Sequence, residues 1–296
     1  MTTVLITGPT RGLGRAATLA MAARPEPPEL VLVGRGGSRL TEVAGEARAR
    51  GARVHEIGCD LSSLADVRKA AARARALGVS VVVANAGTMS ADTRRASRDG
   101  YELTFAVNYL AHAQLIGDLI GDLITPARIV LLGSNTYHAN FWRRLLGVPG
   151  ADWRDPADIA RPATGDRNPG FQASGVAYSN AKLAILYYAH ELQRQVRAGV
   201  NVAVFEPGWM PGTSLGRDTP GALQAIGRGL ARLPGVSTPE RSGPALASVA
   251  LDARWSGLRD GAFVVKNRVT EVSPVAADRS RERRLWEATA ELLQAS

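Results

Sequence analysis

Tyr178 and Lys182 stand four residues apart in Tyr178-Ser179-Asn180-Ala181-Lys182. That spacing puts both side chains on one face of a helix. The chain has 6 tyrosines, and Lys69, Lys182 and Lys266 are its only lysines, so chance rarely produces this pairing. A free phenol ionises near pH 10, and a nearby ammonium lowers that by roughly 1–3 units. A tyrosine so placed gives or takes a proton near neutral pH. The bland alternative is a surface tyrosine beside a solvated lysine.

A second chemistry is written near the start, in Thr7-Gly8-Pro9-Thr10-Arg11-Gly12-Leu13-Gly14. Gly8, Gly12 and Gly14 let the backbone turn tightly and approach a diphosphate, and the helix that follows offers free N–H groups. The glycine spacing is weak by itself; its place directly after the apolar run Val4-Leu5-Ile6 strengthens it. The next apolar run ends Val33-Gly34-Arg35. An NAD site usually carries Asp or Glu there, on the ribose 2′-OH. Arg35, helped by Arg11, suits a 2′-phosphate instead, because a guanidinium is a planar fork of donors. The expectation is NADP(H) rather than NAD(H).

Placing these groups requires an alternation of strands and helices, and the sequence supplies one. Strands are expected at Val4–Ile6, Leu30–Val33, Arg53–Ile57, Val79–Val83, Arg128–Leu132, Asn201–Phe205 and Gly261–Val265. Helices are expected from Gly12 to Ala23, up to Arg50, from an N-cap at Ser62 to Leu77, over Tyr101–Leu123 and over Tyr178–Arg197. Continuous apolar strands between helices mean a parallel sheet covered on both faces. The fold class is therefore α/β: a Rossmann-type, doubly wound parallel sheet in three α/β/α layers. One domain is expected over 1–296, with substrate-covering insertions. The Pro-rich segment 136–175 and the Gly- and Pro-rich segment 208–244 leave the C-terminal ends of strands, where ligands of such sheets sit.

Composition narrows the function. The 296 residues are 45% hydrophobic, enough for a sizeable core. The single cysteine, Cys59, excludes an intramolecular disulfide and a Cys-rich zinc site, and no metal is expected. The net charge of +9 comes from scattered arginines without a basic, aromatic-bearing stripe. It argues against a nucleic-acid partner and is compatible with an anionic substrate or an acidic carrier protein delivering it. No apolar run reaches a membrane span, and the N-terminus lacks a secretory pattern. A cytoplasmic location without a membrane anchor is expected.

Taken in order, the motifs resemble the short-chain dehydrogenase/reductase family. They are the glycine loop Thr7 to Gly14, Asp60-Leu61, Asn85-Ala86-Gly87, Asn108, Ser134, Tyr178/Lys182 and Pro207-Gly208, spread over nearly the whole chain. The resemblance implies that Asp60 contacts the adenine and that Asn85 stabilises the central sheet beside the cofactor. It makes Asn108, Ser134, Tyr178 and Lys182 the catalytic set. Ser134 would hold the substrate oxygen and Tyr178 would transfer the proton. Lys182 would bind the nicotinamide ribose and depress the tyrosine pKa, and Asn108 would hold a water linking Lys182 to solvent. Thr213 would reach the nicotinamide carboxamide, although Pro207-Gly208-Trp209-Met210-Pro211-Gly212-Thr213 places it one residue late for the family pattern.

A finer likeness is to the retinol dehydrogenase and protochlorophyllide reductase branch. It rests on Tyr178 to Ala184, on Asn108-Tyr109-Leu110-Ala111-His112, on Leu285-Trp286-Glu287, and on Asp152-Trp153 followed by Asp155 and Asp158. The resemblance implies action on large hydrophobic carbonyls or conjugated alkenes; with Arg35 and the long aromatic-bearing loops, the expectation is an NADPH-dependent reductase of a bulky hydrophobic, polyketide-like ketone. Phe141, Trp142, Trp153, Trp209 and Met210 are the expected apolar lid; local packing is the bland alternative for each. Alcohol oxidation, reduction of a conjugated C=C, and a redox-neutral or sensing role stay open, as do the homodimer and the monomer.

Overall fold

The computed structural model describes residues 2–138, 149–210 and 236–295. The first half builds β1 (Thr3–Thr7), α1 (Gly12–Ala22), β2 (Glu29–Gly34), α2 (Ser38–Arg48), β3 (Val54–Gly58), α3 (Leu64–Arg75) and β4 (Val81–Ala84). Next, α4 (Leu103–Phe105) runs through one π-helical turn (Ala106–Leu110) into α5 (Ala111–Leu119). Then come β5 (Ala127–Leu132), α6 (Pro156–Ile159), α7 (Gly170–Gln195), β6 (Val200–Glu206), α8 (Pro239–Leu251), β7 (Ala262–Val265), β8 (Arg268–Val269) and α9 (Arg279–Gln294). The strands form one sheet in the order β3-β2-β1-β4-β5-β6-β7-β8, parallel except for the β7–β8 hairpin. This is the expected single-domain, Rossmann-like α/β architecture.

The pleat sorts the core. Leu5, Val31 and Val33 point to the face covered by α3, α5, α7 and α9, whereas Val4, Ile6, Leu30 and Leu32 point to the face covered by α1, α2 and α8. Strands buried on both faces need apolar residues at every position, which explains the runs Val-Leu-Ile and Leu-Val-Leu-Val. Each fully buried aliphatic side chain contributes about 1.5–3 kcal/mol. The stiffness this gives the sheet is what holds the strand ends in place.

Several expected boundaries move. The N-cap of α3 is Ser63, whose hydroxyl accepts the Asp66 N–H, not Ser62. Ser62 is turned instead toward Asp60, donating its N–H and O–H to that carboxylate at 3.0 and 2.9 Å. Helix α7 starts at Gly170, eight residues before Tyr178; Asn168 accepts the Gly170 N–H at 2.9 Å and sets the start. Helix α8 begins at Pro239, inside the segment expected to cover substrate. It packs so closely on α1 that a Cβ on Gly243 would lie 2.5 Å from the Ala16 Cβ. The hairpin strand β8 follows a turn in which Lys266 has φ 57°.

Helix α9 clasps α7. Tyr187 packs edge-on against Trp153 and Tyr188 stacks on Trp286. The buried Glu282 carboxylate sits 2.7 Å from His190 and 2.5 Å from Arg194. Asp155 caps α6 and pairs with Arg284 at 2.9 Å. Among the described residues no helix is long and apolar enough to cross a membrane.

Candidate active site

The order of the sheet reverses between β1 and β4, and their C-terminal ends open a crevice. Gly8 turns the chain there with φ 67° and donates its N–H to the Val33 carbonyl at 2.9 Å. Gly14 presses against that turn: a Cβ on it would sit 2.2 Å from the Gly8 oxygen and 2.4 Å from the Asn85 amide nitrogen. No side chain fits. Asn85 Nδ2 donates to the carbonyls of Thr7 (2.9 Å) and Gly8 (3.3 Å), sewing the ends of β1 and β4 together. Helix α1 follows an extended Arg11 with no side-chain cap and no acid in its first turn. Its leading N–H groups and positive dipole end thus meet the cleft.

The cleft holds about 990 Å³. Its walls are Gly8, Thr10 to Gly14, Gly34 to Arg39, Cys59 to Ser62, Asn85 to Ser90, Arg95, Ala96, Leu103, Val107, Leu132 and Met210. A bare-backbone cradle, an uncapped helix start and arginines at one end together fit a dinucleotide, a group that carries phosphates. Among the expected cofactor contacts, Gly8, Thr10, Arg11, Gly12, Leu13, Gly14, Arg35, Asp60, Leu61, Asn85, Ala86 and Gly87 all line this space. Arg39, exposed on the first turn of α2, joins Arg11 and Arg35 and was not expected. Its signal was the Arg35-Gly-Gly-Ser-Arg39 spacing at a helix start. Cys59 lines the wall too, but burial, with Asp66 and Asp60 adding, pushes its thiol up to about 12. It stays a thiol and is inert at neutral pH.

Thr7, Asn108, Ser134, Tyr178 and Lys182 are not among the residues that line this cleft; Lys182 meets its wall at Leu132. Lys182 is 1% exposed, and its Nζ donates to the Leu132 carbonyl at the end of β5 at 2.6 Å. The same Nζ lies 5.5 Å from the centre of the half-buried Tyr178 ring. Burial pushes Lys182 down to about 7, because an ammonium is costly where water cannot reach it. Ser134, two residues past Leu132, accepts the Thr136 N–H at 3.3 Å and caps a short turn over Asn135–Tyr137. Asn108, fully buried in the π turn, accepts the Thr88 N–H at 2.7 Å and donates to the Thr88 carbonyl at 2.9 Å. It thereby fixes the loop that follows Gly87.

The residues expected around substrate divide. Met210 lines the cleft and Trp209 is 57% exposed next to it in sequence. Trp153 is not among the lining residues, and its indole packs edge-on against Tyr187 with ring centres 4.9 Å apart. Phe141, Trp142 and Thr213 lie outside the described residues. Pro207 and Gly208 form a turn in which Gly208 has φ 88° and donates its N–H to the buried Glu206 carboxylate at 3.0 Å. Phe171, 64% exposed and two helical turns before Tyr178 on α7, was not anticipated.

Comparison with known proteins agrees with this geometry. The family model "short chain dehydrogenase" matches residues 2–142. A Streptomyces protein assigned as a daunorubicin C-13 ketoreductase is 32% identical over 97% of this chain and 91% of its own. The chloroplastic protochlorophyllide reductase of Chlamydomonas reinhardtii is 27% identical over 98% of this chain and 77% of its own. A short chain dehydrogenase from Burkholderia cenocepacia, solved in complex with NADP, superposes with a TM-score of 0.65 at 20% identity, covering 89% of this chain and 95% of its own.

Proposed function

We propose a reaction from one premise: this chain belongs to the short-chain dehydrogenase/reductase family, whose members are nicotinamide-dependent oxidoreductases. The reaction is reduction of the ketone of a bulky, hydrophobic, polyketide-like substrate, with NADPH as the cofactor. The observation that carries it is the Tyr178 ring beside the buried Lys182 Nζ, itself anchored to the end of the strand that leads to Ser134.

NADPH, when bound, supplies the hydride, and the protein supplies orientation and the proton. The glycine cradle and the start of α1 hold the diphosphate. Arg11, Arg35 and Arg39 hold the 2′-phosphate, and no acid ends β2 to oppose it. Asp60 and Leu61 border the adenine. Ser134 holds the substrate oxygen, and Tyr178 donates its phenolic proton to that oxygen. Lys182 lies close enough to stabilise the phenolate that remains and then to help restore its proton. With its own ionisation pushed down to about 7, it can both bear charge beside the phenolate and pass a proton near neutral pH. Asn108 holds the turn through which a water reaches Lys182. Trp209 and Met210 belong to the apolar cover on the substrate side.

The large-ketone reading draws on the ketoreductase relative, on the exposed Trp209 next in sequence to the cleft-lining Met210, and on the exposed Phe171, two turns before Tyr178 on α7. It is tested by mixing the protein, NADPH or NADH, and a panel of ketones that includes daunorubicin, aryl ketones and short aliphatic ketones. Falling NADPH absorbance with the polycyclic and aryl ketones, and alcohol products, is the expected result. Turnover confined to short ketones overturns the substrate class. Tight NADPH binding with no conversion of any ketone, alcohol or conjugated alkene overturns the catalytic reading.

A further inference from the structure

Thr7, the last residue of β1, has a hydroxyl whose hydrogen-bonding positions are all used. It accepts the Asn85 N–H at 3.0 Å and the Ala86 N–H at 2.9 Å, and it lies 2.9 Å from Nε2 of His112. A hydroxyl has two lone pairs and one proton. With both lone pairs occupied, Thr7 must donate to Nε2. The ring proton therefore sits on Nδ1, which donates to the main-chain carbonyl of Asn108 at 3.0 Å. The hydrogen-bond arithmetic fixes the tautomer.

Every member of this chain of contacts is buried: Thr7 and Asn108 at 0% exposure and His112 at 2%. Burial drives the imidazole down to about 4, with the nearby Lys182 adding to that and the bond to Asn108 opposing it. His112 is thus a neutral spacer at working pH, with one acceptor and one donor on opposite sides of a rigid ring. One side meets the seam that shapes the dinucleotide cradle. The other meets a π turn, where the Ala111 N–H bonds back to the Ala106 carbonyl. Single π turns inside α-helices are frequent at functional sites.

We propose that His112 is a positioning residue that couples occupancy of the dinucleotide cradle to the placement of the Asn108 main chain, and through it to the proton supply at Lys182. This rests on the reading of Tyr178 and Lys182 as the proton-transfer pair. A cofactor that tightens the Gly8–Ala86 seam tightens the Thr7 hydroxyl, and the ring transmits that order to the turn. The reaction centre is then fully assembled only when the cradle is filled.

Two variants separate the two bonds. His112→Asn has an amide N–H placed to reach the Asn108 carbonyl but is too short for Thr7. His112→Gln reaches Thr7 but places no donor at Nδ1. The primary measurement is amide hydrogen exchange over residues 106–112 with and without saturating NADPH. NADPH slows exchange in the wild type, and the coupling predicts that this slowing is lost in both variants at matched saturation. The second measurement is kinetic, with a ketone that the wild type reduces. His112→Gln is expected to lower kcat about 10-fold with a small change in KM for NADPH, and His112→Asn to raise that KM more than it lowers kcat. Equal NADPH-induced slowing in wild type and variants overturns the proposal, as does no slowing in the wild type. Loss of kcat that merely tracks a falling melting temperature also overturns it. If the wild type binds NADPH but reduces no ketone, the ketone reading fails while the exchange measurement still decides the coupling.

Discussion

On the proposed reading, the open cleft and the buried polar group around Lys182 serve one long ligand by opposite means. In the open cleft the charged groups are near the surface: Arg35 and Arg39 are exposed, and the glycine loop contributes its backbone and the half-buried Arg11. In the buried group Lys182, Asn108 and His112 are sealed from water, and two of them ionise far from their ordinary range. The exposed end recognises charge at little folding cost, because its arginines stay hydrated. The buried end keeps polar groups where each must be matched by a partner. Recognition is therefore tolerant and salt-sensitive, whereas chemistry is intolerant and salt-insensitive.

The comparison breaks most sharply at Tyr178. Tyr178→Phe removes the proton donor alone and is expected to lower kcat by about 10²–10⁴ while NADPH binds as in the wild type. Stopped-flow turnover beside fluorescence titration of NADPH checks it; weakened binding equal to the kinetic loss would merge the two ends. At the exposed end, Arg35→Glu is expected to raise KM for NADPH by about 10–100-fold and that for NADH by far less. Wild-type KM for NADPH should also climb with ionic strength while kcat stays level. Equal effects on both cofactors would remove the 2′-phosphate assignment.

The smallest effect is on stability, and it belongs to the buried end. Lys182 and His112 both hold their protons less tightly in the folded protein than in the unfolded chain. Stability should therefore rise with pH from about 7 to about 10.5 through Lys182, and fall with pH from about 6.5 to about 4 through His112. The limiting slope is about 1.4 kcal/mol per pH unit for each proton. Urea midpoints of the cofactor-free protein measure it. Lys182→Met should flatten the alkaline limb and His112→Gln the acid limb; unchanged slopes would mean that these groups are not buried as described.

Much of this was legible in the sequence because strand burial and glycine placement are local signals. Val4-Leu5-Ile6 before Gly8, and Tyr178 four residues before Lys182, needed no tertiary information. What escaped depends on partners distant in the chain. Ser62 and Ser63 are alike as caps until Asp60 claims the first. The packing of Trp153 was not legible, because nothing local revealed its partner Tyr187. Asn108 carried the right residue type, but a π turn has no sequence mark, and the role of His112 appears only when Thr7 is folded against it. Arg39 was visible but anonymous until α2 pointed it at the cleft.

The glycines around the cradle also determine where this protein can be re-engineered. Gly8 and Gly14 are welded to the seam, so any added carbon there prises α1 from the ends of the central strands. Gly36, between the two outer arginines, has nothing within 4 Å of an added Cβ. On the proposed reading, a change of cofactor preference is thus available at the rim by ordinary substitution, through drift or by design, without disturbing the residues assigned to proton transfer.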